Sequence, residues 1–174
     1  MDRHTLITDR LRLSPITWAD ADRLAVLHAD ARVMNLLKHG VLTRSQSDVM
    51  VADYEAEWPA LGFGSWTITE RLGGALVGLG GLRVHEGDQG VALRAAFTPD
   101  AQGKGYGPEL ARACIAFAFD IVGLDRVVAI TRPENIPGRR SLEKVGMVRQ
   151  RDLAREDGRP LLLYAAFKPA STAR

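Results

Sequence analysis

The sequence predicts an α/β fold: one mixed, mostly antiparallel sheet of about seven strands with helices on both faces. Three observations carry this. Apolar spacing is helical over residues 17–62 and turns strand-like over 63–98. Gly73-Gly74 and the stretch 87–90 punctuate the strand-like part as hairpin turns. Finally, an apolar run at 91–98, a helical pattern and the β-branched run Arg126–Thr131 form a strand–helix–strand unit. Such a unit implies a parallel pair with a right-handed crossover.

Leu11 and Leu13 alternate with Arg10, Arg12 and Ser14, which predicts a first strand over 9–15 with one buried face. Thr17 opens a helix, Asp20 completes a capping box, and His28 is expected at the helix surface or the edge of the core. Val33, Met34, Leu36 and Leu37 suggest a short helical piece ending at Gly40. A further helix starts at Thr43 and is stopped by Pro59 with Gly62. Strands are expected over 63–70, 75–84 and 91–98. Glycines 78, 80 and 81 mark a bulge or a close backbone approach in the second of these. Leu110, Ala113, Cys114, Phe117 and Ile121 give the next helix its apolar stripe, and Gly123 stops it. After the strand Arg126–Thr131 come a turn at Pro133, Glu134 and Asn135 and a helix from Pro137 to about Val145, capped by Gly146. Two antiparallel strands, 147–152 and 160–167, end the fold around a polar turn.

The 174 residues are expected to form a single domain, 1–174, with 46% apolar and 25% charged residues. A net charge of +2 is too small to argue for nucleic acid. Between residues 103 and 151, nine Lys/Arg face five Asp/Glu, so this half either attracts a multiply charged anion or is a solvated charged face. Cys114 is the only cysteine, which excludes an internal disulfide and fits a reducing compartment. Its place in a helical stripe makes it a core residue. The N-terminus is polar and no apolar stretch approaches a membrane span. A cytoplasmic protein without membrane partners is expected, with no metal site.

Residues 97–107 read Phe-Thr-Pro-Asp-Ala-Gln-Gly-Lys-Gly-Tyr-Gly. Strand, glycine-rich turn and helix aim several backbone N–H groups at one point, to which the helix dipole adds. The residues alone fit two readings, a phosphate site or a tight connection that binds nothing. Three alternating glycines exceed what a connection needs. Neither the Walker spacing nor the dinucleotide fingerprint fits, because Lys104 is followed by Gly105 and the last two glycines are two residues apart.

Gln102, Gly103, Lys104, Gly105, Tyr106 and Gly107 match at every fixed position the Gln/Arg-x-x-Gly-x-Gly/Ala signature of the GNAT acetyltransferase superfamily, which the whole chain resembles. Four more stretches resemble landmarks of its RimJ/RimL-like branch: Thr8-Asp-Arg-Leu-Arg-Leu, Ala31-Arg-Val-Met-Asn-Leu, Phe63-Gly-Ser-Trp-Thr-Ile, and Pro133-Glu-Asn with the downstream Arg139-Arg-Ser-Leu-Glu-Lys-Val-Gly. The resemblance implies a GNAT fold with a splayed parallel pair, residues 91–98 against Arg126–Thr131. It implies acetyl-CoA as cosubstrate, with its pantetheine arm paired to Ala96, Phe97 and Thr98 and its pyrophosphate on the amides of 102–107. Asn135 corresponds to the family's pantetheine-contacting Asn, the alternative being a simple turn residue. Lys104, Arg139 and Arg140 are the candidates for the 3′-phosphate, the alternative being solvated surface.

The implied activity is N-acetyl transfer from acetyl-CoA to a primary amine, either a protein N-terminus or a small molecule. Monomer and homodimer both stay open. The catalytic groups are not inherited. The family's general-base Glu falls at Ala92, its small residue at Arg94, its Ser at Gly138 and its Tyr at Leu142. Local candidates are Ser141, His85 and Glu86, with a solvated hairpin turn or a surface serine as the alternatives. Arg94, if it faces the cleft, favours an acceptor carrying a carboxylate. Tyr106 is expected to pack and Glu70 to be exposed at a strand end. The second functional reading is an acyl-CoA-binding sensor without transfer activity.

Overall fold

The computed structural model describes residues 3–35 and 37–170. Met1, Asp2, Leu36 and residues 171–174 lie outside the described residues. One sheet of eight strands runs in the order β1-β2-β3-β4-β5-β6-β8-β7. The strands are β1 (Leu6–Ile7), β2 (Leu11–Pro15), β3 (Ser65–Glu70), β4 (Leu76–Val84), β5 (Val91–Phe97), β6 (Arg126–Thr131), β7 (Val148–Leu153) and β8 (Leu161–Phe167). Every neighbouring pair is antiparallel except β5 and β6. The extra strand is the two-residue β1, too short to show a period of two. The β7–β8 hairpin folds back so that β8 lies between β6 and β7.

Helices cover both faces. On one, α4 (Tyr106–Ala116) sets Leu110, Ala111 and Cys114, and the turn after it Phe117, against Leu11, Leu13, Trp66, Ile68 and Leu93. On the other, α1 (Ala21–Ala29), α2 (Ala31–Met34) and α3 (Arg44–Leu61) set Leu24, Leu27, Val33, Val51 and Tyr54 against Ile16, Leu79 and Ala96. The smaller α5 (Ile136–Lys144) adds Leu142 to the first layer. Strand alternation decides which face each residue serves, so Leu93 belongs to the α4 side and Ala96 to the α1–α3 side.

The glycines of β4 serve the two purposes expected of them. Val77 is the extra residue where the β3–β4 register slips between Ile68 and Thr69. A Cβ on Gly80 would stand 2.6 Å from Leu110 Cδ2, so its absence lets α4 seat directly on the strand.

Four details differ from the sequence reading. Asp20 does accept from the Thr17 amide at 2.9 Å, but a 3-10 turn, Trp18–Asp20, precedes α1. Pro59 lies inside α3 instead of stopping it; Gly62, at φ 75°, makes the C-cap and donates to the Trp58 carbonyl at 3.0 Å. A proline in a last turn removes one hydrogen bond, and the few helical residues after it keep their conformation. His28 is fully buried between α1 and α3, its Nδ1 sharing a 2.8 Å hydrogen bond with Ser47 Oγ. Ile121 is 68% exposed because the helix widens into a π-type turn over Phe117–Val122. The extra residue per turn rotates Ile121 off the apolar stripe.

Candidate functional site: the cleft between β5 and β6

β5 pairs with β4 along its whole length, from Val91↔Val84 to Phe97↔Gly78. β6 pairs with β8 from Arg126↔Phe167 to Thr131↔Leu162. Between β5 and β6 the register contains the single pair Ala92↔Val128. Beyond it the two parallel strands part, and residues 93–97 of β5 keep an open edge.

Peptide geometry says which groups line that edge. The Thr98 amide donates to Val77 O at 2.9 Å, so it faces β4. The Phe97 carbonyl belongs to the same trans peptide and points the other way. The carbonyls of Arg94 and Ala96 also face β4, since Cβ atoms built on Gly80 and Gly78 would run into them. Alternation then turns the N–H and C=O of Ala95 and Phe97 to the open edge. Of the three residues expected to pair with an extended ligand, Phe97 offers its groups there, while Ala96 and the Thr98 amide are turned to β4. The Gln102 side chain also reaches the edge, donating from Nε2 to the Phe97 carbonyl at 3.2 Å. The signature pattern gives no hint of that bond.

The glycine loop sits at the end of this edge. Gly103 at φ 76° and Gly105 at φ 78° are left-handed, which is why glycine stands at both. Gly105 is the N-cap of α4, so the first N–H groups of that helix have no intrahelical partner. Gly107 marks a close approach, since a Cβ there would stand 2.8 Å from Ser141 Oγ on α5. Tyr106 is buried, and its hydroxyl donates to Glu70 Oε1 at 2.8 Å, which pushes the phenol's pKa up. Glu70 is half-buried by this contact instead of exposed at a strand end, and Lys104 Nζ lies 3.9 Å from it. On the other side of the loop the Arg10 guanidinium donates to the carbonyls of Lys104 and Gly105. Arg10 is absent from the sequence-based candidates; its motif resembles a family landmark, but nothing local shows where its side chain goes.

Across the cleft, Asn135 caps α5. Its Oδ1 accepts from the Gly138 amide at 3.2 Å and its Nδ2 donates to Thr131 Oγ1 at 3.0 Å. Gly138 has no room for a side chain, as a Cβ would stand 2.5 Å from Asn135 Nδ2. Arg139 is built into the α5 support, donating to Pro133 O at 3.0 Å and to the Tyr164 hydroxyl at 3.4 Å. Arg140 is exposed. Ser141 donates its hydroxyl proton to Pro137 O at 3.0 Å.

His85, Glu86 and Arg94 come together. Strand alternation places Arg94 on the face of Ala92 and Ala96, away from α4, while exposed Ala95 lies on the α4 face. The cleft is therefore open to both faces at this height. Burial first, and then the Arg94 charge, push the His85 imidazole below its usual value. Its Nδ1 accepts from the Gly87 amide at 3.0 Å, which puts the proton of the neutral ring on Nε2. Glu86 is paired with Lys38, and that hydrogen bond, with Arg94 and His39 nearby, holds its carboxyl below the usual range. Burial pushes the Cys114 thiol far up, which leaves it an inert core group. Among the described residues, no cluster of three or more His, Cys, Asp or Glu could hold a metal ion, and no helix is long and apolar enough to cross a membrane.

An open strand edge running into an α-helix N-terminus, beside a second strand that splays away, forms a cleft suited to an extended ligand that ends in an anion. The acetyltransferase (GNAT) domain model matches residues 10–148, and the chain belongs to this family of acetyl-CoA-dependent acetyltransferases. The uncharacterized N-acetyltransferase YnaD of Bacillus subtilis is 27% identical over 149 residues, 83% of each chain. An acetyltransferase from Agrobacterium tumefaciens superposes with a TM-score of 0.83 at 23% identity, covering 97% of this chain and 96% of that one. A spermidine N-acetyltransferase from Vibrio cholerae, solved with CoA and spermine, superposes with a TM-score of 0.76 at 17% identity, covering 92% and 96%. These two structural likenesses speak for the fold.

Proposed function

We propose that the chain binds acetyl-CoA and a primary amine together between β5 and β6 and transfers the acetyl group directly. The observation that carries this reading is the single Ala92↔Val128 pair, which leaves an edge open next to the glycine loop. The amides of Gln102, Gly103, Lys104, Gly105, Tyr106 and Gly107 receive the pyrophosphate. The pantetheine arm lies along the edge at Phe97, within the segment from Ala96 to Thr98, with Asn135 facing it from the β6 side. Lys104 and Arg140 meet the 3′-phosphate; Arg139, tied to Pro133 and Tyr164, supports α5 beside them.

Bound acetyl-CoA supplies an activated thioester, whose carbonyl carbon bonds to the amine nitrogen while the thiolate departs and takes up a proton. The chain contributes proximity by holding both reactants in one cleft. The Phe97 amide, on the open edge, donates to the developing oxyanion. The amine enters from the face of Arg94, His85 and Glu86, opposite α4. Proton transfer runs through water, because Ser141 and the Nδ1 of His85 are engaged in internal hydrogen bonds and Glu86 is held ionised by Lys38. A protein α-amine, with a reference pKa of about 7.7–8.0, needs little help from a base, whereas a lysine at about 10.4 needs more.

The names of two structural neighbours, the spermidine N-acetyltransferase and a ribosomal-protein-S5-alanine acetyltransferase from Vibrio fischeri, suggest acceptors of two kinds, a polyamine and a ribosomal protein. Arg94 repels a polycation and attracts a carboxylate, so an N-terminal peptide with acidic side chains is the better acceptor. The test is release of free CoA thiol from acetyl-CoA with a panel of N-terminal peptides, spermidine and simple amines. Turnover above the buffer rate on any amine supports transfer. Tight CoA binding without turnover on any of them gives the acyl-CoA-binding reading precedence, and absence of CoA binding in a calorimeter defeats both.

A further inference from the structure

We infer that Arg10 is a positioning residue for the glycine loop, turning the amides of Gly105 and Tyr106 outward for an anionic ligand. The inference rests on the reading of the loop as a CoA pyrophosphate site. Arg10 directly precedes β2, 94 positions from Lys104 in the chain. Its Nη1 donates to Lys104 O at 2.8 Å and its Nη2 to Gly105 O at 3.1 Å. Each of those carbonyls shares a trans peptide with the next residue's amide. Drawing the carbonyls of Lys104 and Gly105 toward β2 therefore drives the N–H groups of Gly105 and Tyr106 to the opposite side, where the helix N-terminus points.

The clamp is itself clamped. Arg10 Nε donates to Glu109 Oε2 and the Arg10 amide to Glu109 Oε1, both at 2.8 Å. The Thr8 hydroxyl donates to Glu109 Oε1 at 2.5 Å. The Arg10 guanidinium also stacks over the Tyr106 ring, 4.7 Å from its centroid. The Arg10 carbonyl accepts from the Arg71 amide at 2.8 Å, so its backbone is held too. Partial burial pushes the Glu109 carboxyl up, but the Thr8 and Arg10 hydrogen bonds outweigh it and keep the group ionised.

A loop with glycines at both left-handed positions has many conformations of similar energy, and ordering them on binding costs affinity. Holding two consecutive carbonyls requires a planar fork, which arginine has and lysine lacks. Glu109 balances the Arg10 charge, so the effect is one of geometry and not of long-range attraction.

Three proteins test this: the unaltered chain, Arg10→Lys and Arg10→Met. CoA affinity is measured by calorimetry, and the amide resonances of Gly103, Gly105 and Gly107 are followed by NMR without ligand. Both variants are expected to raise the CoA Kd by roughly tenfold or more, as expected when a preorganising contact is lost. The amides of Gly103 and Gly105 shift in both variants, whereas those of Gly40 and Gly158 stay in place. A Kd for Arg10→Met within about twofold of the unaltered chain overturns the inference, as does full restoration by Arg10→Lys, which would make charge alone responsible. No CoA binding by the unaltered chain would instead defeat the reading of the loop on which the inference rests.

Discussion

Ala92 of β5 and Val128 of β6 form the one registered pair between the two parallel strands among the described residues. Both are fully buried, in a small apolar cluster with Leu163 and Ala165. The cleft thus opens from a dry, closed apex. Ala92 is also where the resemblance would put a general-base carboxylate. The nearest cation in register, Arg83 opposite Ala92 on β4, is already bonded to Glu57.

Restoring that carboxylate is therefore expected to harm the protein. Ala92→Glu buries a charge against Val128, Leu163 and Ala165, where it either stays unpaired or takes Arg83 from Glu57, at a cost of about 3–5 kcal/mol if it stays ionised. For a chain of this size that corresponds to a melting temperature lower by about 6–20 °C. The check is a thermal melt alongside turnover. A variant as stable as the parent and faster in kcat would show that the apex tolerates a base after all.

The contact between Gly80 and Leu110 sets how closely α4, and with it the glycine loop, sits on the sheet. Gly80→Val introduces a side chain 2.6 Å from Leu110 Cδ2 and 2.8 Å from the Arg94 carbonyl. Overpacking of this kind costs about 1–3 kcal/mol. Chemical denaturation should show that loss, and CoA affinity should fall with it, because a displaced α4 carries its N-terminus along. Unchanged CoA affinity at reduced stability would separate the two.

Removal of the Arg94 side chain addresses the acceptor. Arg94→Ala should raise KM for an acidic N-terminal peptide by about tenfold, the scale of one charge-assisted hydrogen bond. KM for acetyl-CoA should change little. Steady-state kinetics with each substrate varied in turn decides this, and an unaltered peptide KM removes Arg94 from the acceptor site.

Acid should destabilise the fold through His28. Burial pushes this imidazole below its ordinary value, so the folded chain binds the proton less readily than the unfolded one. Once the pH falls below about 6.5 the unfolded chain holds more protons, and stability drops as the pH goes lower. His85 is shifted in the same direction and contributes with the same sign. Melting temperatures between pH 7 and pH 5 should therefore decline, and His28→Gln should flatten part of that slope. An identical slope in the variant would place the titration elsewhere.

The positions of the strands and helices were largely legible, because period and punctuation are local properties. Arg126–Thr131 is set off with its observed bounds by a β-branched run alone. The alternating glycines mark the loop, and two of them do take left-handed φ. Details that depend on a neighbour were not legible. His28 reads as a helix-surface or core-edge residue until α3 brings Ser47 to it and buries it fully. Ile121 leaves the apolar stripe because hydrogen bonding shifts by one residue in the turn that holds it.

Local chemistry along the chain thus determined the fold class, the glycine loop and the departures at Ala92 and Arg94. Only the folded molecule decided that β5 and β6 meet at one pair, that Phe97 instead of Ala96 faces the gap, and that Arg10 grips the loop from 94 positions away. Local patterns reflect what each segment can do by itself. The direction of a peptide group at an open edge, or the partner of a long arginine, depends on elements that chain topology brings together.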